Sequence, residues 1–268
     1  MKKIIIVVIL AIAAVSSLAA WQTRGRRGKS RDGKQALYDF RRQTRGNFPR
    51  LAPAAERRIL SAVFNSYLKE ANECRNVENL PDSNDYLAAA RKAGQFVPDV
   101  VAMATGSFTV AGERQTAYII SVNECNASHA DNNGTKRLAV FSGQKLVADV
   151  DTDFKREILR TTDLNNDGVN ELLLGGGDMN QGIEVGVAAL VDLQDGKLRM
   201  IKDFGKTEEN SCASGLSDSN AMASVIFYIP STSGKMPDFH VDNFRAKCLP
   251  NDKLARWQFL SSGPMPEQ

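Results

Sequence analysis

From residue 106 onward the chain is a succession of short segments rich in Val, Ile, Leu, Tyr and Phe, and this pattern limits the fold more than any other feature. The segments are residues 116–122, 137–141, 145–150, 158–161, 171–174, 185–191, 197–201 and 223–229, separated by Gly, Asn and Asp. β-Branched and aromatic side chains suit a pleated surface, and short runs bounded by turn residues read as strands. Ser142-Gly143 and Asp195-Gly196 mark tight hairpins. The pattern predicts a mostly antiparallel β domain over residues 101–268.

A repeat runs through this half. Gly112 and Gly168 lie 56 residues apart, each inside a polar stretch that leads into an apolar one: SFTVAGERQTAYII and DLNNDGVNELLL. Downstream, RLAVFSGQKLVADV is echoed by ALVDLQDGKLRMI, and SVIFYIPSTSGKMPDFHV supplies a third strand–turn–strand. Such a period suits a unit of several strands, as in a propeller blade or a stacked sheet. With two or three units, a compact β-meander or an open, propeller-like fragment is expected rather than a closed propeller.

Before the strands, Pro53 stands where a first helical turn would start. Leu60, Val63, Phe64, Tyr67, Leu68 and Ala71 then recur at three- and four-residue steps, which is one buried helical face. A second helix is predicted from Ser83, an N-cap residue, to Gly94. Residues 35–100 are therefore expected to form a helical cap over an edge of the β domain, which makes the whole an α+β fold.

Residues 1–19 combine Lys2 and Lys3, an apolar stretch over 4–15, and small residues ending in Ser17-Leu18-Ala19. This predicts an export signal cleaved before Ala20; the competing reading is an uncleaved membrane anchor. Either places the protein outside the cytoplasm: periplasmic, cell-surface or secreted. Residues 20–34 read as a basic flexible linker. The wider arm, 24–50, holds ten Lys and Arg against two Asp, whereas residues 51–268 carry a net −7. The arm suits contact with an anionic membrane or wall polymer. The acidic body argues against nucleic acid as a partner.

The chemistry-bearing stretch is residues 163–171, DLNNDGVNE. Asp163, Asn165 and Asp167 set oxygen side chains at alternate positions, Gly168 allows a tight bend, Val169 can offer its carbonyl, and Glu171 adds a carboxylate. Calcium takes about 6–8 oxygens from donors of this kind. An EF-hand would need a bidentate Glu at the twelfth loop position, where Leu174 stands, and helical flanks, where these read as strands. The residues after it, Gly175 to Gly177, read as a turn.

DLNNDGVNELLLGGG resembles the calcium loop and following strand of FG-GAP/VCBS repeats, the blades of integrin-type β-propellers. The resemblance implies Ca2+ on Asp163, Asn165, Asp167, the Val169 carbonyl and Glu171. It further implies that the first copy binds no metal, because Ser107, Thr109, Ala111 and Gln115 stand at the matching positions. Glu171 replaces the Asp commoner at the last position, and the family's Phe-Gly and Gly-Ala-Pro signatures are not evident. Asn/Asp-rich hairpins also form without metal, which is the competing reading of the loop.

The four cysteines, Cys74, Cys125, Cys212 and Cys248, contain no CxxC pair that would suggest zinc. In an exported chain they predict two disulfides, and the pairing expected is Cys74–Cys125 and Cys212–Cys248. Glu124, His129 and Asp131 share one segment and are the candidates for hydrolytic chemistry, although a polar turn is the plainer reading. No nucleophile elbow, zinc-protease helix, P-loop or dinucleotide fingerprint occurs. The sequence thus points to an exported, non-catalytic, calcium-stabilised binding or scaffold module with an unknown protein or glycan ligand. The alternative is an extracytoplasmic hydrolase built on His129, Asp131 and Glu124.

Overall fold

The computed structural model describes residues 33–42, 51–71, 98–122, 136–153, 155–214, 218–231, 234–251 and 253–266. The elements, in order, are β1 (Gln35–Asp39), α1 (Pro53–Ala71), β2 (Pro98–Gly106), β3 (Gln115–Val122), β4 (Lys136–Ser142) and β5 (Lys145–Asp151). They continue with β6 (Lys155–Thr162), β7 (Glu171–Asn180), β8 (Ile183–Asp192), β9 (Arg199–Asn210), β10 (Asn220–Tyr228), β11 (Phe239–Leu249), β12 (Lys253–Leu254) and β13 (Gln258–Ser262). The fold is α+β and mostly antiparallel, and it is not a closed propeller.

β2 to β5 form a four-stranded meander. All the other strands belong to one curled, half-barrel sheet of nine, whose main path runs β12-β11-β10-β9-β8-β7-β6. β10 pairs with β9 at its start, through residues 221–223, and with β1 at its end, through residues 225–228. β13 pairs with β11. The second and third repeat units expected from the sequence are therefore fused into one sheet, and the first alone keeps a sheet of its own.

Three packed layers result. Ile59, Leu60 and Val63 of α1 bury against Val100, Ile120, Ala139 and Phe141 on one face of the small sheet. The opposite face, with Ile119, Leu138 and Val140, packs on Leu172, Leu174 and Val191 of the large sheet. Inside the curl, Leu37, Leu173, Leu190, Phe204 and Ile226 form a third core. Alternation along β7 explains the division, since Leu172 and Leu174 point to one face and Leu173 to the other. A fully buried Leu or Ile contributes roughly 1.5–3 kcal/mol, so these shared layers bind helix and sheets into one unit.

The hairpins follow turn chemistry. Between β4 and β5 the two-residue loop has Gly143 at φ 58°, as a type II′ turn requires. Between β7 and β8, Gln181 and Gly182 lie at φ 49° and 80°, the type I′ pattern. Asp195 and Gly196, at φ 56° and 71°, turn the chain between β8 and β9 as expected.

Several expectations are corrected. Residues 35–39, placed in a helical cap, form strand β1 on β10, because Leu37 fits the inner core and is fully buried there. Gly175 to Gly177 are not a turn but the middle of β7, paired with β8. A Cβ on Gly177 would stand 2.6 Å from the Val185 carbonyl oxygen, and one on Gly175 would stand 2.8 Å from Leu159. Close approach of neighbours, not chain reversal, is why glycine occurs there. β9 runs on to Asn210, well past the expected end at 201, and β12 and β13 were not anticipated. Arg41, counted in the basic arm, is held by Asp39 at 2.8 Å and lies 4.1 Å over the Phe244 ring. The helix expected over 83–94 lies outside the described residues. So do residues 1–32 with their export segment, and Cys74 and Cys125.

Cys212 and Cys248 are joined by a disulfide, as paired from the sequence. It ties the β9–β10 connection to the end of β11. Among the described residues, no helix is long and apolar enough to cross a membrane.

Candidate metal loop

Residues 163–171 connect β6 to β7, and the loop folds around its own side chains. Asp163 accepts hydrogen bonds from the Asp167 N–H through Oδ1 at 3.2 Å and from the Gly168 N–H through Oδ2 at 3.0 Å. Asn165 Oδ1 accepts from the Asp167 N–H at 3.1 Å, and Asp167 Oδ1 accepts from the Val169 N–H at 2.8 Å. Asn165 Nδ2 donates to Asp167 Oδ2 at 2.9 Å. These are Asx-type turns, the local bonding that favours Asp and Asn in reversals. Asn166 and Gly168 adopt φ 61° and 85°, left-handed conformations that Asn tolerates and Gly adopts freely.

Glu171 differs from the other acids. It is 2% exposed, and Oε2 accepts the Leu164 N–H at 2.7 Å. Burial drives its carboxyl up from the usual 4.5 to about 7; the Leu164 and Glu171 N–H groups oppose this, and the charges of Asp167 and Asp163 add to it. Arg199, drawn mainly to Asp192, also feels the charges of Asp167 and Glu171. The loop thus places a buried carboxylate beside two like charges, an arrangement that a cation would relieve.

The matching loop of the first repeat, residues 107–115 between β2 and β3, is tied by a similar bond from its last side chain to main-chain N–H groups. Gln115 occupies the position of Glu171 and is 1% exposed. Its Oε1 accepts from the Phe108 and Thr109 N–H groups at 2.8 and 2.9 Å, as Glu171 accepts from Leu164. Its Nε2 donates to Thr109 Oγ1 at 2.7 Å and to Glu113 Oε2 at 3.4 Å. At this position the first loop therefore has an N–H donor where the second has a carboxylate oxygen.

The two loops also touch. Asn170 N–H donates to the Ser107 carbonyl at 2.6 Å, and Ser107 N–H donates to Asn170 Oδ1 at 2.8 Å. A Cβ on Gly168 would meet the Ala111 Cβ at 3.1 Å. The repeat is therefore a structural pair at the junction of the two sheets, which spacing alone does not reveal.

The predicted ligands Asp163, Asn165, Asp167, Val169 and Glu171 all lie in this one loop. Among the described residues, no three His, Cys, Asp or Glu side chains stand grouped as a metal cage. In this conformation the acids instead accept main-chain N–H groups. A carboxylate offers about four lone-pair sites, so each keeps acceptor capacity beyond the bonds described. The donor set, all oxygen with three carboxylates, fits a hard divalent ion. Glu124, His129 and Asp131 lie outside the described residues. His240 is exposed on β11, paired with Phe227 of β10.

Comparison with protein-family models, curated proteins and solved structures found no match.

Proposed function

We propose that the chain is an exported, non-catalytic binding or scaffold module whose β6–β7 loop is closed by calcium in the manner of FG-GAP/VCBS repeats. Asp163, Asn165, Asp167, the Val169 carbonyl and Glu171 would hold the ion. Calcium would supply the positive partner whose place the neutral Gln115 Nε2–H group takes in the sister loop. The contrast between Gln115 and Glu171, two buried residues in equivalent positions, is the observation that carries this reading. The Cys212–Cys248 disulfide supports an oxidising, extracytoplasmic setting.

The test is a thermal melt of the oxidised full-length chain at pH 8, in calcium and in excess EGTA, beside Asp167→Ala. A ligand at a hundred times its dissociation constant adds about 2.7 kcal/mol, which moves the midpoint by several degrees. The expected result is a calcium-dependent rise that the variant lacks. Identical melts in calcium and EGTA would reduce the loop to a metal-free hairpin.

A further inference from the structure

The peptide between Val169 and Asn170 is held from outside its own loop. Asn170 N–H donates to the Ser107 carbonyl at 2.6 Å, and Ser107 N–H donates to Asn170 Oδ1 at 2.8 Å. One asparagine thus grips both main-chain groups of one serine. A peptide unit is planar, and this one is trans, so its N–H and C=O point to opposite sides. Fixing the Asn170 N–H on Ser107 therefore fixes the Val169 carbonyl, which faces away from Ser107. A bonded N–H also polarises the carbonyl of the same peptide and strengthens it as an acceptor.

Ser107 is a firm anchor for this purpose. It stands between Gly106, the last residue of β2, and Phe108, which is fully buried in one core cluster with Leu172 and Leu174 of β7. Both loops are shaped for close approach. A Cβ on Gly106 would stand 2.7 Å from Asn170 Oδ1, and one on Gly168 would stand 3.1 Å from the Ala111 Cβ. In the repeat Ser107 matches Asp163, the first proposed ligand. The position that lost its acid in one copy now braces, through its main chain, the carbonyl of the other.

We infer that Ser107 and Asn170 form a positioning clamp that aims the Val169 carbonyl, which makes the first loop part of the second loop's calcium site. The inference rests on the calcium reading of the β6–β7 loop. Asn170 is a positioning residue rather than a ligand, since it acts through the peptide it shares with Val169. Groups that orient metal ligands change metal affinity by about 10–100-fold. Coupling is reciprocal, so calcium should tighten the clamp by the factor that the clamp adds to calcium binding.

The experiment titrates calcium into the oxidised full-length chain by calorimetry at pH 8, well below the melting midpoint, and follows amide exchange by NMR. Asn170→Ala leaves every proposed ligand in place and should bind calcium about tenfold more weakly or worse. Asn170→Asp keeps an acceptor for the Ser107 N–H and adds a negative charge, so it should bind as tightly as the wild type or more so. Gly106→Ala, a change in the first repeat, should weaken binding because its Cβ displaces Asn170 Oδ1. In the wild type, calcium should slow exchange of the Ser107 amide about tenfold, and Asn170→Ala should abolish that response. An Asn170→Ala protein that melts lower in EGTA yet binds calcium with wild-type affinity would show a merely structural bond and overturn the inference. So would a Ser107 amide indifferent to calcium, or Asn170→Asp binding as weakly as Asn170→Ala. Those results leave the calcium reading standing, because the wild type still binds the ion. A wild type that takes up no calcium removes both.

Discussion

Glu171 and Gln115 differ by one group, an oxygen against an NH2, and that exchange sets whether the buried side chain can donate as well as accept in its loop. The folded-state carboxyl of Glu171 titrates near 7, above its ordinary 4.5, so the folded protein takes up the proton more readily than the unfolded chain does. The associated stability is present in full below about pH 4.5 and is lost as pH rises through about 7; the gap corresponds to about 3 kcal/mol. Glu171→Gln should thus melt higher than the wild type in EGTA at pH 8, since the amide oxygen can still accept the Leu164 N–H and no buried charge remains. At pH 5 in EGTA the two should converge. Calcium at pH 8 should raise the wild type alone. Paired melts across this pH range check it, and a Glu171→Gln protein less stable than the wild type at pH 8 would contradict the assignment. The alternating acids of this loop are legible in the sequence. That Glu171 is the buried one is not, because its burial depends on β7 entering the core between two sheets.

Strand β7 shows how an element departs from its sequence signature. Gly-Gly-Gly after an apolar run has the composition of a turn, yet the chain continues straight through to Asn180. Partners on both sides explain it: β6 crowds Gly175 with Leu159, and β8 brings the Val185 carbonyl against Gly177. Turn propensity is a local preference, and ladder hydrogen bonds on two edges outweigh it. Gly177→Ala should cost about 1–3 kcal/mol, because the atom in its way is backbone of a paired strand and cannot rotate aside. Urea unfolding reads this as a lower midpoint at unchanged slope. A variant as stable as the wild type would show that β7 and β8 are less closely applied than described. Strand β1 teaches the same lesson. QALYD lies within the basic arm and before a helix, and only β10, a strand nearly two hundred residues later, makes it extended.

For the whole molecule, the decisive feature is that the large sheet gathers strands from both ends of the chain. β1 closes one side of β10, and β11 to β13 close the other. The Cys212–Cys248 bridge, whose ends are separated by 36 positions in the sequence, locks the middle of that arrangement. In the chain-entropy account a loop of this length is worth about 4 kcal/mol. Replacing both cysteines with serine should lower the urea midpoint accordingly. Because helix, small sheet and large sheet share cores, the loss should appear as one shifted transition rather than two. Two separate transitions would show that the sheets unfold independently.

The sequence by itself determined the parts whose causes are local. Strand-forming runs, the hairpin glycines with positive φ, the first helix with Leu60 and Val63 on its buried side, the polar loop at 163–171 and the relation between its two copies can all be read from neighbouring residues. Tertiary structure alone decided what depends on distant partners. It fused two expected repeat units into one curled sheet, drew β1 into that sheet and made Gly175 to Gly177 strand. It also set the two loops in contact. Propensity and periodicity act over a few positions, whereas sheet order and curvature follow from which apolar faces cover one another. That match involves residues far apart in the chain, and no short stretch encodes it.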